Sequence, residues 1–280
     1  MSLTSGVMTD PATPLLDRIA AALERLAPPP PPSADALAHP AYLWRDGALR
    51  AARGFAPIPL DLLKGLERQS EALLTNLFRL ADGHAAQDVL LWGARGTGKS
   101  ALVKASVAAV QADRPGRLAL VSVEALDSLP ELFATLERVN RAFAVFIDDL
   151  GFEGAGEARK LRSLLDGGAE ARPAHVRLLV TANRRHLLPR DLSEQDSAIN
   201  PRDVVDDQLA LADRFGLSLG FHTLDQDGYL AIVRGYAERY NLPFDGAEAV
   251  NWATRRGSRS GRVAWQYVVD LAGRLGRALQ

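Results

Sequence analysis

Runs of apolar residues of strand length alternate with segments of helical periodicity through the middle of the chain. The apolar runs lie at residues 89–92, 117–123, 142–147, 176–181 and 216–221. Helical segments are predicted between them at 128–138, 156–165 and 203–214. Strands that are apolar throughout and separated by helices are typical of a parallel sheet with both faces covered. We therefore predict an α/β fold whose ligands bind beyond the carboxyl ends of the strands.

The pattern changes toward both ends of the chain. After residue 225 it is all-helical, with predicted helices at 228–240, 246–256 and 261–279. Near the other end, disorder is expected over residues 1–13, and a helix at 14–26 precedes five prolines at 28–32 that favour a stiff polyproline spacer. We predict a flexible arm (1–41), an α/β domain (42–224) and a helical domain (225–280). The helix of the arm is either mobile or a docking contact.

Composition narrows the classes of protein to consider. The 280 residues are 47% hydrophobic and 24% charged, as in ordinary globular proteins. A net charge of −1 creates no global attraction to nucleic acid or membranes, so any basic site is local. The absence of cysteine excludes disulfides and thiolate chemistry. With no apolar run long enough for a membrane span and no secretory signal pattern, we expect a cytoplasmic protein.

The most specific motif is V-L-L-W-G-A-R-G-T-G-K-S at residues 89–100, between a strand and a helix. It satisfies the G-x-x-x-x-G-K-[ST] spacing, whose backbone N–H groups surround phosphate oxygens. Lys99 would reach the β- and γ-phosphates, and the Ser100 hydroxyl would ligate Mg²⁺. The residues expected to contact the nucleotide are Gly93, Ala94, Arg95, Gly96, Thr97, Gly98, Lys99, Ser100 and Ala101.

Carboxylates follow the third apolar strand. Asp148 is expected to hold the metal, and Asp149 to orient and polarise the attacking water. Glu153 is the alternative base, since only geometry distinguishes the two. Asn183 ends the next strand, where its amide could bond the γ-phosphate or the water, although Asn is also common in turns.

Arginines near the C-terminal third provide candidate phosphate contacts. Arg214 and Arg262 could stabilise charge on the γ-phosphoryl group, or could form ordinary surface ion pairs. A second interpretation is a nucleic-acid patch formed by Arg255, Arg256, Arg259 and Arg262, or by the basic residues at 184–186. The Tyr42, Trp44 and Phe55 aromatics could stack on bases, but more often such residues cover the edge of a core.

Together these motifs resemble AAA+ ATPases and, more narrowly, a bacterial family of ATP-binding proteins described as domain of unknown function 815. The resemblance runs from about Tyr42 to the C-terminus. It is carried by the stretches L-L-W-G-A-R-G-T-G-K-S (90–100), F-I-D-D-L-G-F-E (146–153), T-A-N-R-R-H-L-L-P (181–189), L-A-D-R-F-G-L (211–217) and R-S-G-R-V-A-W-Q (259–266).

The resemblance implies a five-stranded parallel α/β domain with a C-terminal helical lid, and ATP with Mg²⁺ bound between them. Residues 93–100 match the Walker A loop, and Asp148 and Asp149 match Walker B. Asn183 matches sensor 1, Arg214 the arginine finger that reaches a neighbouring subunit, and Arg262 the sensor 2 arginine. Segment 57–69, including Ile58 and Leu63, occupies the place of the adenine cover.

One departure from the broader superfamily affects the expected function. Walker B usually ends in Asp-Glu, whereas this chain has Asp148 and Asp149, as do some replication initiators and helicase or transposase loaders. Because Asp is one methylene shorter, water is less well placed and turnover is expected to be slow. The leading hypothesis is an oligomeric ATPase. The alternatives are a nucleotide-gated loader that binds DNA or a client protein, and a small-molecule kinase.

Overall fold

A computed structural model of the chain describes residues 13–26, 33–150, 161–165, 172–183 and 213–279. It divides into two units, Met1–Ser33 and Ala34–Gln280. The first contains helix α1 (Thr13–Leu26), which confirms the predicted helix and exposes Leu15, Leu16 and Ile19. The polyproline run lies outside the described residues. Among the residues described, no helix combines the length and apolar character needed to cross a membrane.

The second unit is built on one twisted sheet. Its strands are β1 (Ala41–Arg45), β2 (Ala48–Ala51), β3 (Val89–Gly93), β4 (Leu118–Val123), β5 (Ala142–Leu150), β6 (Val176–Asn183) and β7 (Leu217–Phe221). They are arranged in the order β2-β1-β4-β5-β6-β3-β7. Within this order, the five adjacent strands β4-β5-β6-β3-β7 are mutually parallel, as the continuous apolar runs predicted.

The expectation of five strands is wrong, because the sheet has seven. Strand β1 pairs in parallel with β4, and β2 folds back antiparallel on β1. Asp46 and Gly47, with φ of +53° and +67°, form the two-residue turn between them. An Asp-Gly pair between apolar segments is a strong hairpin signal, and it was missed. Tyr42 and Trp44 are buried by this hairpin, so they cover the core.

Helices cover both faces of the sheet. On one face, α2 (Glu67–Ala81) and α3 (Lys99–Asp113) bury Leu73, Leu77 and Val103 against the strands. On the other face, α4 (Leu129–Leu136) and the helical residues 161–165 bury Leu132, Leu136 and Leu161. Adjacent strand residues alternate between these two clusters, because successive side chains of a strand point to opposite faces.

Helix α2 begins later than periodicity predicts. The apolar spacing of residues 61–81 predicts one continuous helix, but Leu60–Leu62 forms a separate 3₁₀ turn and α2 starts at Glu67. A turn at Lys64 and Gly65 separates the two helical segments. Ile58 and Leu63, which precede this turn, line the site described below.

The C-terminal helices are α5 (Gln226–Arg239), α6 (Gly246–Arg255) and α7 (Gly261–Arg274), the last ending five residues earlier than predicted. The side chains of Asp225, Asp245 and Ser260 accept N-terminal backbone N–H bonds and start these helices. The three helices enclose their own apolar cluster around Tyr229, Val233, Ala264, Tyr267 and Val268. At the far end of α7, Arg274 Nη1 lies 2.8 Å from Glu248 Oε1 of α6. The proposed boundary at residues 224/225 stays a prediction.

Replacing Gly93 with alanine should destabilise the fold by about 3 kcal/mol. Gly93 has φ of +144°, and a Cβ there would lie 2.0 Å from the carbonyl oxygen of Phe221 on β7. Because Gly93 and Phe221 are paired in the β3–β7 ladder, neither backbone can move away from the added Cβ without breaking that pairing. Urea denaturation followed by circular dichroism measures the loss.

The control for this variant is Gly54→Ala, because a Cβ at Gly54 meets no described atom within 4 Å. This control should unfold at the same urea concentration as the unsubstituted protein. Equal midpoints for the two variants would contradict the close contact between Gly93 and Phe221.

Candidate functional site

The glycine-rich loop leaves β3 at the carboxyl end of the sheet and leads directly into α3. Gly98 is the N-cap of α3 in the left-handed conformation, with φ of +97°. Because the first N–H groups of a helix have no partner within it, the start of α3 is suited to accept an anion. The sequence predicted this strand–loop–helix arrangement, and the loop has it.

Lys99 is held inside the loop. Lys99 is 8% exposed, and its Nζ donates to the carbonyl oxygens of Gly93 at 2.8 Å and Ala94 at 2.7 Å. Burial lowers the pKa of Lys99, an effect that the charges of Asp149 and Asp148 oppose and that of Arg95 reinforces. The ammonium group therefore lies in a partly dehydrated position close to both carboxylates.

Asp148 lies across from Ser100, as expected of a shared metal site. Its Oδ1 accepts a hydrogen bond from Ser100 Oγ at 2.6 Å and another from Thr181 Oγ1 at 2.7 Å. A carboxylate and a hydroxyl are oxygen donors of the kind that Mg²⁺ prefers, and the cation needs few protein ligands when phosphates supply others. The two side chains therefore fit a magnesium ion, with Ser100 and Asp148 as the residues that would hold it.

An irregularity in β5 places both carboxylates at the site. Ile147 pairs with Val180 and Leu150 pairs with Ala182, so β5 has one more residue than β6 in this interval. Asp149 has φ of +53°, a left-handed conformation that is strained for a residue other than glycine. The side chains of Asp148 and Asp149 are both exposed, although neighbours along a regular strand would point to opposite faces.

Three side chains contact Asp149. Its backbone N–H donates to Thr181 Oγ1 at 2.8 Å, and Asn183 Nδ2 donates to its Oδ1 at 2.5 Å. Arg95 Nη2 donates to its Oδ2 at 3.4 Å. Asn183 thus contacts the predicted base. Thr181 was missed, although its position two residues before Asn183 places it on the same strand face.

A cavity of about 330 Å³ opens beside the loop, between the sheet and the C-terminal helices. Its lining includes the predicted Ile58, Leu63 and Arg262 together with residues 96–101 of the loop. Gly93, Ala94 and Arg95 are not among the residues that line it. Leu62 and Leu66, from the predicted segment 57–69, also line it and form an apolar wall with four residues that were not predicted, namely Leu224, Ile232, Tyr236 and Trp265.

The first residue of α7 contacts the glycine-rich loop directly. The backbone N–H of Gly261 donates to the carbonyl oxygen of Gly96 at 3.1 Å. Arg262, the second residue of α7, therefore lies at the edge of the cavity. This backbone bond joins the C-terminal helices to the segment that would surround phosphate.

Arg214 is not brought into the site of its own chain. It is exposed and precedes β7, at the amino end of a strand whose carboxyl end faces the cavity. Arg255 and Arg259 are also exposed, and the guanidinium of Arg256 lies 3.8 Å from the ring centroid of Trp252. Glu153 and the basic residues at 184–186 lie outside the described residues.

Several solved structures are similar to this chain in fold, at low sequence identity. The Aeropyrum pernix ORC1 protein in complex with DNA gives a TM-score of 0.54 at 17% identity, over 77% of this chain and 63% of that chain. The Aeropyrum pernix ORC2 protein, with ADPNP–ADP complexes, gives 0.53 at 18%, over 81% and 66%. The Thermotoga maritima RuvB Holliday junction branch migration motor gives 0.50 at 19%, over 79% and 67%.

The chain therefore spans roughly two thirds of the length of these proteins. They show the fold of AAA+ P-loop NTPases. No curated protein matches the chain. The family described as "Protein of unknown function (DUF815)" matches residues 37–275. Since this match covers most of the sequence, the chain belongs to the DUF815 family and has the AAA+ fold.

Proposed function

We propose that the protein binds ATP with Mg²⁺ in the cavity beside the glycine-rich loop and hydrolyses it. The observation that carries this proposal is the meeting of five polar residues at the carboxyl ends of adjacent parallel strands, namely Lys99, Ser100, Asp148, Asp149 and Asn183. Each of these residues would serve a different role in phosphoryl transfer, and the adjoining cavity has room for the nucleoside part of a nucleotide. A chance glycine-rich turn would not explain this grouping.

The chain's own groups account for binding. Backbone N–H groups at the start of α3 would donate to phosphate oxygens, and Lys99 would move from the loop carbonyls toward the β- and γ-phosphates. Magnesium, held by Ser100 and Asp148, would neutralise phosphate charge. The adenine ring of the nucleotide would lie among Ile58, Leu63 and the apolar wall, with Arg262 at the phosphate end of the cavity. Because binding would remove the apolar surface of this wall from water, the wall favours a ligand with a flat, largely uncharged ring.

Asp149 and Asn183 would act on the attacking water. Asn183 is 8% exposed and donates to Asp149, so the two side chains form a pair beside the position that we propose for the γ-phosphate. The carboxylate would accept the water's proton, and the amide would fix its orientation. Because Asp is shorter than the usual Glu, we infer slow turnover.

Completion of the site would require a second copy of the chain. Arg214 is exposed near the amino end of β7 and does not line its own cavity, and both observations support a role at the site of a neighbouring subunit. A guanidinium at the γ-phosphoryl group stabilises charge that develops during transfer. We therefore propose a homo-oligomer in which hydrolysis occurs between subunits and moves the C-terminal helices.

Lys99→Ala should abolish detectable ATP and ADP binding, because it removes the buried cation that the loop holds for phosphate. Calorimetric titration with each nucleotide in the presence of Mg²⁺ measures this. Lys104→Ala is the matched control: it removes a lysine from the same helix that lies over the Phe146 ring instead. Nucleotide binding by Lys99→Ala at native affinity would contradict the proposed site.

Arg214→Ala should leave ATP binding intact and reduce hydrolysis on the order of 10³-fold. Mixing it with Lys99→Ala subunits should restore part of the activity, because the second variant cannot bind nucleotide but still supplies Arg214. Phosphate release measures activity, and light scattering measures mass with and without ATP. A mixture as inactive as its components, from subunits that co-assemble, would contradict donation between subunits.

A nucleotide-gated DNA-binding function is the second candidate. It is favoured by the exposed Arg255, Arg256 and Arg259, which lie between the end of α6 and the start of α7, where α7 contacts Gly96. If this function holds, ATP should raise DNA affinity, and the affinity should fall as salt rises because phosphate contacts release counterions. Fluorescence anisotropy over a salt series tests it. Equal, weak binding with and without ATP at low salt would count against DNA as the partner.

A further inference from the structure

Arg95 makes a contact to which the proposed mechanism assigns no role. It is the third residue of the glycine-rich loop, and its side chain is 77% exposed. Its Nη2 nevertheless reaches across to Asp149 Oδ2 at 3.4 Å. The guanidinium therefore lies next to the carboxylate that would act on the attacking water.

The position of Asp149 does not depend on Arg95. The extra residue in β5 fixes the backbone, and the bonds to Thr181 and Asn183 hold the backbone N–H and Oδ1. Those partners belong to a strand in the middle of the sheet. The contact with Arg95 is the exchangeable one, since it is the longest of the three and comes from an exposed, flexible side chain.

Electrostatics favours exchange when a triphosphate arrives. An exposed ion pair between arginine and a single carboxylate is weak, because water screens it. A phosphate group carries more charge and offers oxygens that match the planar guanidinium in a bidentate geometry. A γ-phosphate placed between Ser100, Lys99 and Asp149 would lie within reach of a guanidinium already beside Asp149.

We propose that Arg95 exchanges Asp149 for the γ-phosphate, so that the loop distinguishes ATP from ADP within one subunit. The exchange has two consequences. The triphosphate gains a charge-assisted contact that the diphosphate lacks, and Oδ2 of Asp149 becomes available to the attacking water. This proposal rests on the proposed ATP site, and it assigns to Arg95 a role separate from that of Arg214.

Arg95→Gln should weaken binding of the β,γ-imido analogue of ATP about tenfold, the order expected for one lost charge-assisted contact. Affinity for ADP should change less than twofold. Calorimetric titration with both ligands and Mg²⁺ gives the two constants without relying on hydrolysis. Arg95→Lys, which keeps the charge, should retain part of the preference for the triphosphate.

The matched control is Arg45→Gln, which removes another exposed arginine paired with a single carboxylate, that of Glu124. It should bind both nucleotides as the native chain does. A second measurement adds Asp149→Asn: removing the carboxylate should strengthen binding of the analogue by a larger factor with Arg95 present than in the Arg95→Gln background.

The outcomes separate the two proposals. If Arg95→Gln weakens both nucleotides equally or neither, or if the effect of Asp149→Asn is independent of Arg95, the exchange is overturned while the ATP site stands. If the native chain binds neither nucleotide, the proposed function itself fails and the exchange fails with it. A selective loss for the triphosphate, coupled to Asp149, supports the exchange.

Discussion

The candidate site depends on one extra residue in β5. In a regular strand Asp148 and Asp149 would point to opposite faces of the sheet, and only one could meet the glycine-rich loop. The irregularity between Ile147 and Leu150 turns both toward the loop, at the expense of a left-handed conformation at Asp149. Thr181 offsets this strain by binding both residues, since its hydroxyl donates to Asp148 and accepts from the Asp149 backbone. Metal position and base position are thus fixed by one neighbouring strand.

The same neighbouring strand connects the site to the core. Thr181 and Asn183 end β6, which lies between β5 and β3, so its place in the sheet sets the distance from the carboxylates to the loop. Strand β3 is held on its other side by β7, where Gly93 and Phe221 are in close contact. The charges of Lys99, Arg95, Asp148 and Asp149 can therefore lie close together because four adjacent strands hold their backbones rigidly.

Much of this arrangement could be predicted from the sequence, because it depends on local rules. The glycine spacing of residues 93–100 and the apolar run before Asp148 predicted which residues meet at the carboxyl end of the sheet. The hairpin of β1 and β2 was also encoded locally, in Asp46 and Gly47, and was missed. The late start of α2 at Glu67 and the apolar wall with Tyr236 and Trp265 depend on long-range packing, which periodicity does not carry. The same is true of Arg95, whose partner lies 54 positions away.

The backbone bond between Gly261 and Gly96 makes α7 a lever. Its first turn is fastened to the segment that would surround phosphate, and its fourteen residues give an arm of about 21 Å. A tilt of about 10° at the fastened end displaces the opposite end by about 4 Å, given the rise of 1.5 Å per residue. Arg274 contacts Glu248 of α6 there, and α6 and α7 share one apolar cluster, so α6 would move with the arm. A sub-ångström adjustment around a phosphate would in this way become a displacement large enough to change contacts with another molecule.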